Sequence, residues 1–208
     1  MKSLREIITR KRLGIAIVFS CLGAGFFTNM YPYTLTQQVG VCDEKNMQSC
    51  EYDLIFNEAF VATGDKNISM QVTDAIREAA TNENLDPLFL TSVIKQESNF
   101  YPNSANDSGG IGLMMISKEA AEDTNLNRNK LTENVKIGAR ILHHFLEEKS
   151  SEDKNTAFKI ALIGFHCGEN GVKIYNQNPD NLDRQVIDFT ERVMENYKQL
   201  IARQCFSY

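Results

Sequence analysis

Glu97 is the residue whose surroundings in this sequence would make a side chain reactive. It closes the run DPLFLTSVIKQE, residues 86–97. Asp86 is a good N-cap there, and Pro87 takes the first helical position, where a missing N–H costs nothing. Leu90, Val93, Ile94 and Glu97 follow at i, i+3, i+4 and i+7, which puts all four on one helix face. A carboxylate on an apolar stripe in the last helical turn is disfavoured by burial and by the negative end of the helix dipole. Either effect raises a carboxyl pKa, as a general acid working near neutral pH requires. The same spacing also suits a glutamate that reaches the surface or pairs with a lysine or arginine.

Beyond Glu97, a Pro/Asn/Ser/Asp loop over residues 101–108 leads into Gly109-Gly110-Ile111-Gly112-Leu113-Met114-Met115. Three glycines in four residues let a backbone approach a ligand closely or take φ > 0. No Lys-Ser/Thr follows, and the spacing does not suit a dinucleotide fingerprint, so this is not a phosphate loop. An acid, a polar loop and a Gly-rich turn with an apolar end suit a groove for an extended sugar chain.

Glu97-Ser98-Asn99-Phe100, Pro102 and then Gly109-x-x-Gly112-Leu113-Met114 together resemble the signature of family-1 lytic transglycosylases, the soluble-lytic-transglycosylase (SLT) domain. The likeness runs over about residues 85–197. It implies a lysozyme-like fold, mainly α within the α+β class, with a deep glycan groove and at most a very small β element. It also implies cleavage of peptidoglycan strands without a metal or organic cofactor.

Residue by residue, the resemblance makes Glu97 the catalytic acid/base and Ser98 its companion. Gly112, Leu113 and Met114 match the groove motif, but Met115 stands where the family has glutamine. Gly164-Phe165-His166-Cys167-Gly168 falls where the family shows Ala-Tyr-Asn-Ala-Gly, and Phe189 falls where a tyrosine is expected. Asn106, two before Ser108, replaces a serine. These replacements keep shape or stacking surface and remove hydrogen-bonding groups, at about 1 kcal/mol for each lost sugar contact. Ser98, Asn106, residues 112–115, Phe165, His166 and Phe189 are thus the expected substrate-binding set. The implied mechanism uses Glu97 alone. It protonates the bridging oxygen between N-acetylmuramic acid and N-acetylglucosamine, then takes the proton of the muramyl 6-hydroxyl as a 1,6-anhydro ring closes. A muramidase using water, with Asp107 as the nearest second carboxylate, and a wall-binding protein with a decayed site are the competing readings. A cysteine hydrolase built on Cys167 and His166 ranks below them, because adjacent residues in a turn rarely face each other.

The elements that must hold this site read as helices. Residues 51–61 suit a short one. Ile68, Val72, Ile76, Ala79 and Ala80 keep helical spacing up to about residue 82. Ser117 is positioned to cap a helix over 118–123, and Thr132 to cap the next. That helix carries Val135, Gly138, Ala139, Leu142, Phe145 and Leu146 on one face. His143 and His144 are adjacent and point apart, so they cannot share a metal as an i, i+4 pair could. A helix over about 155–165 ends at Gly168, a turn follows near 172–175, and Val186, Phe189, Val193, Tyr197 and Leu200 stripe a last helix over 182–203. Short strand pieces are expected only near residues 110–116.

The chain has 208 residues, 42% hydrophobic and 24% charged, which suits one globular domain with extensions. Residues 67–208 would form the domain and 28–66 a linker or N-terminal extension. Residues 1–27 read as a signal peptide or membrane anchor: basic residues 2–12 precede LGIAIVFSCLGAGFF, which is uncharged. Export to the periplasm follows, with the N-terminus in or through the inner membrane. Cys21 would lie in the membrane core. Removing the net +4 of residues 1–25 from the chain's −5 leaves −9 on the exported part, which argues against nucleic acid as a partner. The expected partners are glycan strands and an envelope-spanning secretion or transfer assembly. Of the cysteines left, Cys42–Cys50 and Cys167–Cys205 are the most economical disulfides, with free buried thiols the alternative.

Overall fold

Three aspartates start helices here in the same way. Asp65 accepts hydrogen bonds from the N–H of Asn67 and Ile68 at 2.8 and 3.0 Å. Asp86 accepts from Leu88 at 3.0 Å. Asp153 accepts from Asn155 and Thr156 at 3.0 and 3.2 Å. Each cap satisfies donors that a helix start leaves unpaired, for about 1 kcal/mol apiece. The computed structural model describes residues 44–122, 124–147 and 153–206. Its elements are α1 (Glu44–Thr63), α2 (Lys66–Asn82), α3 (Pro87–Ser98), α4 (Lys118–Glu122), α5 (Leu131–Glu147), α6 (Lys154–Gln177), a 3-10 turn (Pro179–Asn181) and α7 (Arg184–Phe206). The fold is mainly α, as expected.

α3 is the buried axis. Leu88, Phe89, Leu90, Val93 and Ile94 are all closed to solvent, because α1, α2 and α7 pack around it. Phe89 stacks on Phe158 of α6 with ring centroids 3.9 Å apart, and meets Tyr197 of α7 edge-on. The Tyr197 hydroxyl donates to the Asp86 carboxylate at 2.5 Å, and Lys154 donates to the Tyr197 oxygen at 2.9 Å. This knot fixes the N-terminal end of α3 against α6 and α7. Nearer the other end, Glu58 of α1 takes Lys95 at 2.7 Å and also Arg203 of α7.

α5 packs on α2 and α6, and two glycines allow close approach to it, one of the loop before it and one of α6. A Cβ at Gly138 would sit 2.2 Å from the Met114 sulfur, and one at Gly164 would sit 2.4 Å from the Phe145 ring. The only strand character among the described residues is a pair of antiparallel bridges, Ala105 with Ile111 and Ile111 with Ile116. That agrees with a very small β element at this place.

Several expectations change. The linker expected over 28–66 is, from Glu44 onward, helix α1. Its Leu54, Ile55 and Ala59 enter the core, and the Tyr101 hydroxyl donates to its Ala62 carbonyl at 2.7 Å. Thr132 lies inside α5 rather than capping it, since the helix starts at Leu131. Helix α6 does not end at Gly168. That glycine, at φ 64° and ψ −164°, makes a kink, and the helix resumes to Gln177. Such a backbone conformation is essentially restricted to glycine. Residues 1–27, with the signal or anchor reading and Cys21, lie outside the described residues, as do Cys42 and the side chain of Cys205. Cys167 is exposed and unbridged. No described helix is long and apolar enough to cross a membrane.

Candidate active site

The last turn of α3 carries Glu97 to the edge of the core, and Asn99 then ends the helix in the left-handed conformation at φ 47°. Glu97 opens onto a cavity of about 290 Å³. The loop supplies Asn106, Ser108, Gly110, Met115 and Ile116 to its wall, α5 supplies Ile141, and α6 supplies Phe165 and His166. Among the described residues, Glu97 is the sole carboxylate lining this space and makes no ion pair or side-chain hydrogen bond. Burial therefore acts on it unopposed and raises its pKa from the ordinary 4.5 to about 7. A half-buried acid that is protonated near neutrality can deliver a proton and take one back.

His166 faces the same cavity. Its ring stacks on Phe189 of α7, centroids 4.9 Å apart and planes inclined by 27°. Partial burial pushes the imidazole pKa down, against a smaller upward pull from Asp183. A neutral imidazole offers one donor and one acceptor to a sugar without adding a charge beside Glu97. Its neighbour Cys167 has its thiol pKa pushed up by burial and then by Asp183, which disfavours the thiolate that a cysteine nucleophile needs.

The loop is held from behind by two residues the sequence reading passed over. Asn134 of α5 accepts from the Met114 N–H and donates to the carbonyls of Ile111 and Arg128, each at 2.9 Å. Arg128 donates to the carbonyls of Gly109 and Ile116 at 2.7 and 2.8 Å. Gly112, at φ 80°, lies so close that a Cβ would come within 2.3 Å of the Asn134 amide. A signal existed for Asn134: it precedes Gly138 by four residues on the face of α5 that the apolar stripe occupies.

Of the expected set, Glu97, Asn106, Met115, Phe165 and His166 share the cavity. The rest sit elsewhere. Leu113 and Met114 are fully buried rather than in the groove, because the loop folds down with Met114 against Gly138 of α5. Ser98 is buried and donates to the Ile94 carbonyl at 3.3 Å, not toward Glu97. Gly112 borders a neighbouring recess with Arg128 and Asn129, and Phe189 stands behind His166. Ser108, Gly110, Ile116, Ser117, Ala120 and Ile141 line the cavity unannounced. A larger open cleft of about 660 Å³ beside α4, lined by Lys118, Glu122, Lys130 and Glu133 among others, does not include the buried acid.

The fold and the site agree with what comparison of the sequence with known families gives, the transglycosylase SLT domain. The model of that family matches residues 74–187, and the chain belongs to it. A protein described as "Transglycosylase" from Enterobacteria phage PRD1 is 30% identical over 103 residues, which is 49% of this chain and 37% of that protein. The chain thus spans little more than a third of the relative's length. Glu97, the loop, Phe165 and His166 all fall inside the family match, whereas Phe189 falls just beyond it.

Proposed function

We propose that this protein is a peptidoglycan lytic transglycosylase in which Glu97 acts as acid and then as base. The observation that carries the reading is the state of Glu97: half-buried, held near pKa 7 and, among the described residues, unpaired and the one carboxylate on the cavity wall. The protonated acid donates to the glycosidic oxygen as the bond to C1 of the muramyl residue breaks. The substrate's N-acetyl group stabilises the positive centre. The carboxylate then removes the proton of the 6-hydroxyl as that oxygen bonds to C1, giving a 1,6-anhydro end. No water enters, so the second carboxylate of an ordinary glycosidase is unnecessary. Asp107, the nearest candidate for such a role, is exposed and outside the cavity lining. His166 and Asn106 supply hydrogen bonds to the sugar, and Phe165 supplies an apolar surface. Action on the periplasmic side of a membrane, beside an envelope-spanning assembly, belongs to the same proposal and rests on the pattern of residues 1–27.

Digestion of purified peptidoglycan by the protein and by Glu97→Gln, followed by mass spectrometry, tests the proposal. Fragments lighter by one water than hydrolysis products, missing with the variant, are expected. Water-added fragments would make the enzyme a muramidase. Sedimentation with the wall and no cleavage by either protein would make it a binding module.

A further inference from the structure

Met115 takes the left-handed conformation, at φ 47°, although it is neither glycine nor asparagine. That backbone is unfavourable for a residue with a side chain, because Cβ is pressed toward the carbonyl oxygen that follows. Such outliers persist where the surroundings over-determine them, and they cluster at functional sites. Here both flanking residues are clamped. The Met114 N–H donates to Asn134 at 2.9 Å, and Arg128 donates to the Ile116 carbonyl at 2.8 Å. Ile116 also exchanges backbone hydrogen bonds with Ile111, at 2.9 and 3.2 Å. The Met115 N–H donates to the Gly112 carbonyl at 3.3 Å, and a Cβ at Gly110 would come within 2.7 Å of the Met115 carbonyl oxygen. The chain is held where glycine would go more easily, and it carries a long apolar side chain there.

What this conformation secures is a place on the wall of the cavity that holds Glu97. Leu113 and Met114 before it are fully buried, whereas Met115 is half-buried and lines the cavity with Ile116, Ile141 and Phe165. Burial is the one cause that raises the Glu97 pKa. The charges nearest along α3 and from α1 and α7 are engaged with one another, Lys95 and Arg203 on Glu58. From α4 and α5 the wall receives Ala120 and Ile141, which do not titrate, and from α6 the imidazole of His166. Asp107 of the loop is exposed and outside the lining. An acid perturbed by dryness alone depends on the side chains that exclude water from it.

We propose that Met115 is a positioning residue for the acid: its side chain, set on the cavity wall by the left-handed backbone, covers Glu97 and keeps bulk water from it. The role rests on the reading of Glu97 as the acid and deepens it, by naming the side chain on which that acid relies.

The test is the titration of Glu97 itself, followed by carbon-detected NMR of the carboxyl groups in the full-length protein, with Glu97→Gln identifying its signal. Met115→Gln keeps the length of the side chain and brings an amide that donates to the carboxylate. Met115→Gly removes the cover and relieves the backbone. Both should lower the titration from about 7 by roughly one pH unit, a tenfold rise in the ionisation constant. Met115→Leu, apolar and similar in size, should leave it in place. Melting curves verify that each variant folds. The pH above which kcat/KM on peptidoglycan falls should move with the titration. An unmoved titration in Met115→Gln and Met115→Gly overturns the assignment, and so does a parent Glu97 that titrates at the ordinary 4.5. A fall in Met115→Leu as large as in Met115→Gln overturns it too, since an apolar cover would then not be what matters. Because the titration needs no turnover, the two readings fail separately. Glycan cleavage with an unmoved titration removes the shield and leaves the transglycosylase. The expected titrations without cleavage remove the transglycosylase and leave a shielded acid.

Discussion

Replacing Glu97 by glutamine should make the protein more stable, and more so as the pH rises. In the unfolded chain this carboxyl titrates at its ordinary 4.5, whereas burial holds it at about 7 when folded. A raised carboxyl pKa means that the folded state binds the extra proton. The folded form is therefore penalised as pH climbs from the unfolded pKa through the folded one. Integrated from about pH 4 to pH 8, that penalty comes to about 3 kcal/mol, an order-of-magnitude figure for one half-buried group. For a domain of this size it corresponds to roughly 6–12 °C in Tm. Denaturation curves of the wild-type protein and Glu97→Gln, taken in parallel across this pH range, isolate the effect, since every other titrating group is common to both. The two should coincide near pH 4 and diverge toward pH 8 with the variant on top. Curves that stay parallel would refute the claim that burial perturbs this acid. The same titration should limit the enzyme, with kcat/KM on peptidoglycan falling above about pH 7 as the acid is lost.

Two other outcomes follow from the surrounding structure. Asn134→Ala removes three hydrogen bonds to backbone, one buried and two half-buried, and should cost about 3 kcal/mol in urea denaturation, with cleavage reduced because the loop bearing Met115 and Ile116 loses its support. Glu58 has the opposite sign from Glu97. Burial pushes its pKa up, but the hydrogen bonds and charges of Lys95 and Arg203 prevail and hold it below 4.5. Its contribution is present above the unfolded pKa and fades as pH falls through the folded one, so Glu58→Gln should destabilise at neutral pH and should flatten the acid side of the stability profile.

What the sequence made legible was whatever is settled within a few turns of helix. Asp86, Pro87 and the Leu90–Val93–Ile94 spacing define α3, and they bring Glu97 to its end, where the structure has it. The stripe of Val186, Val193, Tyr197 and Leu200 likewise marks the buried side of α7. The misplacements at the site depend on contacts between distant parts. Leu113 and Met114 share a motif with Met115, yet both are buried, Met114 pressed onto Gly138, while Met115 faces the cavity. Asn134 and Arg128 become site residues only because α5 and the segment before it lie behind the glycine loop. Gly168 reads as a stop, but a single left-handed residue interrupts α6 without ending it. α1 reads as linker because its Leu54, Ile55 and Ala59 are buried only by packing against other helices, chiefly α2.

The knot at the start of α3 carries a consequence for the order in which the fold can close. Asp86 and Tyr197 are 111 positions apart, and Phe89 is covered by Tyr197 and Phe158 together. Until α7 has been made and has docked, Phe89 and the N-terminal end of the axis helix have an open flank. The helix that bears Glu97 therefore cannot be closed by neighbouring sequence alone, and its packing waits on residues made more than a hundred positions later.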